Sequence, residues 1–130
     1  MPQKDTLYIV AGDEMQKLFE VKFPGKETIP FREDFSKGNR SGFAFDEKRI
    51  AERAAFWGVS KEEYAEKMSG VIGLDLSRDL TLVFGDDDCC RANLAFLLGY
   101  LKERGYRGRI RVRIIDEYDL TVLREYTADQ

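Results

Sequence analysis

Carboxylates stand wherever an apolar run of this chain ends. Asp13 follows "TLYIVAG", Glu33 and Asp34 follow "ETIPF", Asp86, Asp87 and Asp88 follow "LTLVFG", and Asp116 and Glu117 follow "RIRVRII". If these runs are parallel strands, the acids meet on one rim of the sheet. Carboxylates in mutual reach repel, which raises some of their pKa values unless a cation sits between them. A hard divalent ion with oxygen ligands, Mg²⁺ or Mn²⁺, answers that repulsion. On this reading Asp13 and Asp87 are metal ligands and Asp34 a base, the set of a metal-dependent hydrolase or transferase. The plainer reading is that such acids cap the helices that follow, as Asp13 and Asp88 would. Caps explain part of the set without any ion, so no cofactor is expected, with Mg or Mn as the exception.

Two cysteines are adjacent, Cys89 and Cys90, and histidine is absent. Disulfide geometry wants Cα atoms about 5.5 Å apart, so neighbours rarely pair. Without imidazole, Ser–His and Cys–His nucleophile pairs and the usual zinc sites are excluded. A thiol in the first turn of a helix can be activated. The three aspartates before it act the other way, so a structural role for both cysteines is preferred.

Arg107, Arg109, Arg111 and Arg113 form a basic row beside Tyr106. Such a row can track nucleic-acid phosphates. The alternative is an edge strand guarded by charge and paired with acids from a neighbouring helix. The acidic net charge of -3 favours the latter and makes nucleic acid an unexpected partner. A second group of cations, Arg32, Lys37 and Arg40, lies in the loop "REDFSKGNRSG" and reaches the same rim as the acids. Mixed charge around one crevice suits a polar or zwitterionic ligand, whereas the bland reading is a solvated loop. The ligand-binding candidates are Asp13, Arg32, Asp34, Gly38, Asp86, Asp87 and Asn93.

These residues need elements to hold them. The 130 residues suffice for one domain with a proper core, and 43% hydrophobic with 35% charged residues is ordinary for a folded protein. No apolar run approaches the ~18 residues of a membrane span. The start, "MPQKDT", has no signal-peptide pattern, so a cytoplasmic location is the expectation.

"TLYIVAG" reads as a strand and "DEMQKLFEVKF" as a helix ended by Pro24-Gly25. "ETIPF" is a short strand that Pro30 sends to an edge or a strand end. "DEKRIAERAAFWG" is helical, with Ile50, Ala54 and Trp57 on one face and Gly58 closing it. Ser60 and Glu63 mark a capping box for the next helix. "LTLVFG" is the central strand, since strands buried on both faces read as continuous apolar runs. "CRANLAFLLGYLKERG" is the longest helix, with Leu94, Leu97, Leu98 and Leu101 inward and Gly105 as its stop. "RIRVRII" is an alternating strand, and the tail "DEYDLTVLREYTADQ" is a short helix or a last edge strand.

This alternation builds an α/β three-layer sandwich, a mostly parallel sheet of four or five strands with helices on both faces, like half of a Rossmann or flavodoxin sheet. Ligands then bind at the carboxyl ends of the strands, at the switch point between the first and third. "VAGDEM" carries neither GxGxxG nor a lysine phosphate loop, so a dinucleotide cofactor is not expected.

The segments "YIVAGDEMQKLF", "IPFREDFSKG", "RAAFWG" and "LVFGDDDCCRANLAFLLGYL" together resemble the bacterial family of domain of unknown function 1835, over residues 6 to 116. The most specific part is an acidic residue followed by Asp-Leu/Phe, a small residue, any residue and Gly-Pro. Here it falls on Glu33, Asp34, Phe35, Ser36 and Gly38, with Asn39 in place of the proline. Asp13-Glu14-Met15-Gln16 replaces the family's small-residue turn. The resemblance implies the same α/β fold and the same loop positions, and it implies no reaction.

The expected function is a binding or regulatory module for a small polar ligand or a protein partner at the strand ends. The alternatives are the metal-dependent enzyme and the arginine-row nucleic-acid binder. A homodimer through the "RIRVRII" edge or the tail with Tyr118 and Tyr126 is also open.

Overall fold

The computed structural model describes residues 6–38 and 44–128. The apolar runs form strands β1 (Leu7–Val10), β2 (Thr28–Pro30), β3 (Leu80–Phe84) and β4 (Ile110–Ile115), and the tail forms β5 (Val122–Ala128). The helices are α1 (Asp13–Lys22), α2 (Glu47–Trp57), α3 (Lys61–Lys67), α4 (Ser69–Ile72) and α5 (Asp88–Glu103). The sheet runs β2-β1-β3-β4-β5, parallel through the first four and antiparallel at β5. The strand order reverses between β1 and β3, which opens the crevice expected of such sheets.

Strand alternation divides the core between the two faces. Leu7, Ile9, Leu80, Leu82, Phe84, Ile110, Val112 and Ile114 pack against Leu94, Leu97 and Leu101 of α5 and against Ala54, Tyr64 and Val71 of α2 to α4. Val10, Val83 and Ile115 meet Met15 and Phe19 of α1 on the opposite face. All five residues of β3 are buried, as its unbroken apolar run requires. Ser60 accepts from the Glu63 N–H, and Gly58 closes α2 in the left-handed region at φ 72°.

Three expectations need correction. β4 is not an edge: β5 returns antiparallel and covers it, so the partner of Arg113 is Glu125 on a strand, not an acid on a helix. The return is set by Asp116, whose carboxylate accepts from the Tyr118 and Asp119 N–H groups while its own N–H reaches the Thr121 carbonyl. Asp13 does not cap α1; Gly12 at φ 100° holds that position, with no side-chain cap. Asp88 does not cap α5 either. Asp87 does, accepting from the Cys90 N–H at 2.7 Å, which moves Asp88 into the first turn. No helix among the described residues is long and apolar enough to cross a membrane.

Candidate functional site

Loop residues 31 to 38 leave β2 and turn inward, because Phe31, Glu33 and Phe35 are buried while Arg32 and Lys37 stay exposed. This overturns the reading of the whole segment as solvated loop. Glu33 reaches a pocket built by α2 and α3. Arg53 Nε and Nη2 donate to its two oxygens at 2.9 and 2.7 Å, Trp57 Nε1 donates at 2.8 Å, and the Tyr64 hydroxyl donates to Oε2. Its Oε1 also accepts the Asp34 N–H. Burial pushes the Glu33 carboxyl up, but the bonds from Arg53, Tyr64, Asp34 and Trp57 outweigh it and hold it below the ordinary carboxylate range.

Arg53 is fully buried and stacks with Phe35, Phe56 and Trp57 at 4.7, 5.2 and 5.8 Å. Its remaining donors hold the carbonyls of Lys37 and Asp34. A Cβ at Gly38 would lie 2.5 Å from Arg53 Nη1, so this glycine lets the loop close over the guanidinium. Gly38 is therefore a packing residue and not part of the cleft wall.

Asn93 of α5 clamps the same loop from the other side. Its Oδ1 accepts the Phe35 N–H at 2.8 Å and its Nδ2 donates to the Glu33 carbonyl at 2.6 Å. Both ends of the amide are thereby used, which makes Asn93 a positioning residue.

Between this loop and the first turns of α1 and α5 lies an open cleft of about 340 Å³. Its walls carry Gly12 and Asp13 after β1, Arg32 to Asp34 after β2, Cys89 and Asn93 of α5, and Trp57 and Lys67 of α2 and α3. Arg32 Nε donates to Asp13 Oδ1 at 2.8 Å, an exposed pair on the wall. Asp34 Oδ1 accepts from the backbone and hydroxyl of Ser36, and Lys37 stands 4.0 Å from Oδ2. Lys67 Nζ lies 5.8 Å over the Trp57 ring. Acids and bases thus share one concavity.

The remaining acids sort differently. Asp86 is taken by Arg91 and Arg124 at 3.3 and 2.8 Å, and the Arg124 bond holds its carboxyl below the usual range. Asp87 meets Glu117 and Cys90: each offers a ligand atom, and these atoms lie within 4.8 Å of one another. The hydrogen bond with Asp87, partial burial and repulsion from Asp87 and Asp116 push the Glu117 carboxyl up to about 7. The same bond keeps Asp87 low, so Glu117 is the proton donor. Glu117 lies over Gly85, where a Cβ would approach its Oε1 to 2.6 Å.

Among the described residues Asp87 joins Cys90 and Glu117 in a metal-capable group, not Asp13 and Asp34 as the sequence reading had it. Asp86 and Asp87 are absent from the cleft wall, while Asp13, Arg32, Asp34 and Asn93 belong to it. Burial first, then the Asp34 and Asp87 carboxylates, push the Cys89 thiol up to about 12; burial does the same to Cys90. Neither thiol is poised as a nucleophile at neutral pH.

The arginine row loses one member to an ion pair. Arg113 is half-buried, bound to Glu125 at 2.7 Å and 5.9 Å over Tyr8, whereas Arg107, Arg109 and Arg111 are exposed. Arg40 lies outside the described residues.

Sequence reasoning placed Glu33 on the rim, where the structure buries it, and missed Arg53, Tyr64, Trp57 and Lys67 as makers of the site. One signal was present: Arg49 and Arg53 fall on the same helical face as Ile50, Ala54 and Trp57 and are buried there. A charge at a core position asks for an internal partner.

The fold and the cleft define a class, a small α/β domain with a polar crevice at its topological switch point. No family model matches this chain, and neither does any curated protein or solved structure.

Proposed function

We propose that the domain is a binding or regulatory module whose cleft takes a small zwitterionic ligand. The observation that carries the reading is the mixed charge of one crevice, with Arg32 and Lys67 beside Asp13 and Asp34. Among the described residues Arg32 bonds only through its Nε, to Asp13, which leaves the fork of its guanidinium for a ligand carboxylate. Asp34 and Asp13 supply acceptors for an ammonium. Trp57 offers a rigid apolar wall, and the loop behind it is preorganised by the buried Glu33–Arg53 pair. The absence of histidine and the high thiol pKa values favour binding over covalent catalysis.

Free α-amino acids are the probes, compared with their N-acetyl and amide forms in thermal unfolding. Ligand at a hundred times its Kd stabilises by about 2.7 kcal/mol. The zwitterions should raise Tm, the two blocked forms should not, and Arg32→Gln should abolish the effect. Equal shifts from all three forms, or none, would contradict the reading.

A second reading, divalent-metal chemistry, is favoured by the Asp87–Cys90–Glu117 group alone. Two carboxylates and a thiolate suit Mn²⁺ or Zn²⁺ better than Mg²⁺. Titration with each ion should stabilise the protein and lose its effect in Glu117→Gln; no shift at millimolar metal removes the reading.

A further inference from the structure

The two edges of the sheet are treated differently. β2 is three residues long, ends in Pro30, and is pressed by α4, where a Cβ on Gly70 would come within 2.7 Å of Ile29. Thr28 is held by Gln16 of α1. That edge is short, proline-blocked and covered, the usual protections against strand addition. β5 has none of these three, and its one irregularity is the register shift beside Ile115, near its start. It is seven residues long, is exposed along all but its last residue, and has no strand on its outer side among the described residues.

Its charges do not guard it, because each is tied within the chain: Arg124 to Asp86 at 2.8 Å and Glu125 to Arg113 at 2.7 Å. What remains exposed includes Val122, Leu123 and Tyr126.

The backbone fixes which groups are free. Arg109 C=O bonds to β3 through the Leu80 N–H, and the Asp116 N–H bonds toward β5 at Thr121. Alternation along β4 therefore turns Ile110, Val112 and Ile114 toward β5, opposite Ala128, Tyr126 and Arg124. On β5 the N–H and C=O groups of Glu125 and Thr127 then point outward with no partner among the described residues, and those of Leu123 sit where the register shifts beside Ile115.

We propose that β5 is the contact strand of a homodimer, pairing antiparallel with β5 of a second copy about a two-fold axis at Glu125. Glu125 is the middle of Val122–Ala128, so this register overlaps the whole strand. It sets Leu123 opposite Thr127 of the second copy and Arg124 opposite its Tyr126, twice by symmetry. A guanidinium facing an aromatic ring is a favourable cross-strand neighbour. The two Glu125 side chains meet at the axis with their Arg113 partners, which offsets their repulsion. Centring on Arg124 instead would put two arginines face to face and Leu123 against Glu125. Self-complementarity is what selects a second copy as the occupant, and the joined sheets become continuous across the axis.

Sedimentation of the whole chain over roughly a hundred-fold range of concentration tests this. The wild type should pass from monomer to dimer. Tyr126→Lys, which opposes Arg124 with a like charge, should weaken the dimer at least about ten-fold, whereas Tyr126→Glu should retain it. Tyr126 is exposed, so folding is preserved in both variants, and circular dichroism verifies that. As a register check, Glu125→Cys should give a covalent dimer under mild oxidation when the wild type does not. A chain that stays monomeric throughout would overturn the proposal. So would a dimer that Tyr126→Lys leaves intact, because it would use another surface.

Discussion

Glu33 and Glu117 both follow parallel strands and both reach the carboxyl end of the sheet, yet they end in opposite states. Glu33 is buried and ionised, because Arg53, Trp57, Tyr64 and a backbone N–H all donate to it. Glu117 is exposed and holds its proton up to about pH 7, because its neighbours are Asp87 and Asp116. Burial alone would have ordered them the other way, since it disfavours the charged form. Here the donors decide: a carboxylate supplied with enough of them stays charged inside, and one facing acids holds its proton even at the surface.

Removing the buried partner should have the largest effect. Glu33→Gln should lose about 3–5 kcal/mol in urea unfolding, because it removes the carboxylate that neutralises the buried Arg53 guanidinium. Replacing both, Glu33→Leu with Arg53→Met, should recover much of that loss. A single variant as stable as the wild type would mean that the pair does not anchor the loop. Asn93→Ala should cost about 1–3 kcal/mol, since it orphans the Phe35 N–H and the Glu33 carbonyl.

The pH dependence sharpens the other half. Glu117 is raised from 4.5 to about 7 in the folded chain. Its contribution is therefore fully present below pH 4.5 and lost as pH rises to about 7, because in that window the folded state holds a proton that the unfolded state has released. Glu33 has the opposite sign: its stabilisation is present above the ordinary carboxylate pKa and fades as pH falls. The difference in stability between wild type and Glu117→Gln should change across pH 4.5 to 7; a difference flat in pH would contradict the shared proton. The smallest effect expected is on Cys89. Its thiol, pushed up to about 12 by burial and by Asp34, should alkylate slowly at pH 8, and Asp34→Asn should speed it.

The parts of this fold written in neighbouring residues were legible. The unbroken apolar run of β3, the Ser60 cap, the Gly58 stop and the inward leucines of α5 each depend on spacings of a few residues. The crevice followed from strand order, and Asp13, Arg32 and Asp34 line it. What depends on distant partners was not legible. Nothing local to Glu33 announces Arg53 twenty residues on, and nothing in "DDD" says that Asp87 will face Glu117. The tail "VLREYTA" is exposed at nearly every position and so carries no burial period, which is why it read equally as a short helix or a last edge strand, and why its cover over β4 was not legible.

The central claim is that the cleft binds a zwitterion between Arg32, Lys67 and the acids. Trp57 is the only tryptophan and lines that cleft, so its emission reports occupancy directly. Titrating free α-amino acids should give a saturable change in Trp57 fluorescence that disappears in Arg32→Gln. Emission that never changes, or that changes equally in wild type and Arg32→Gln, would contradict the account.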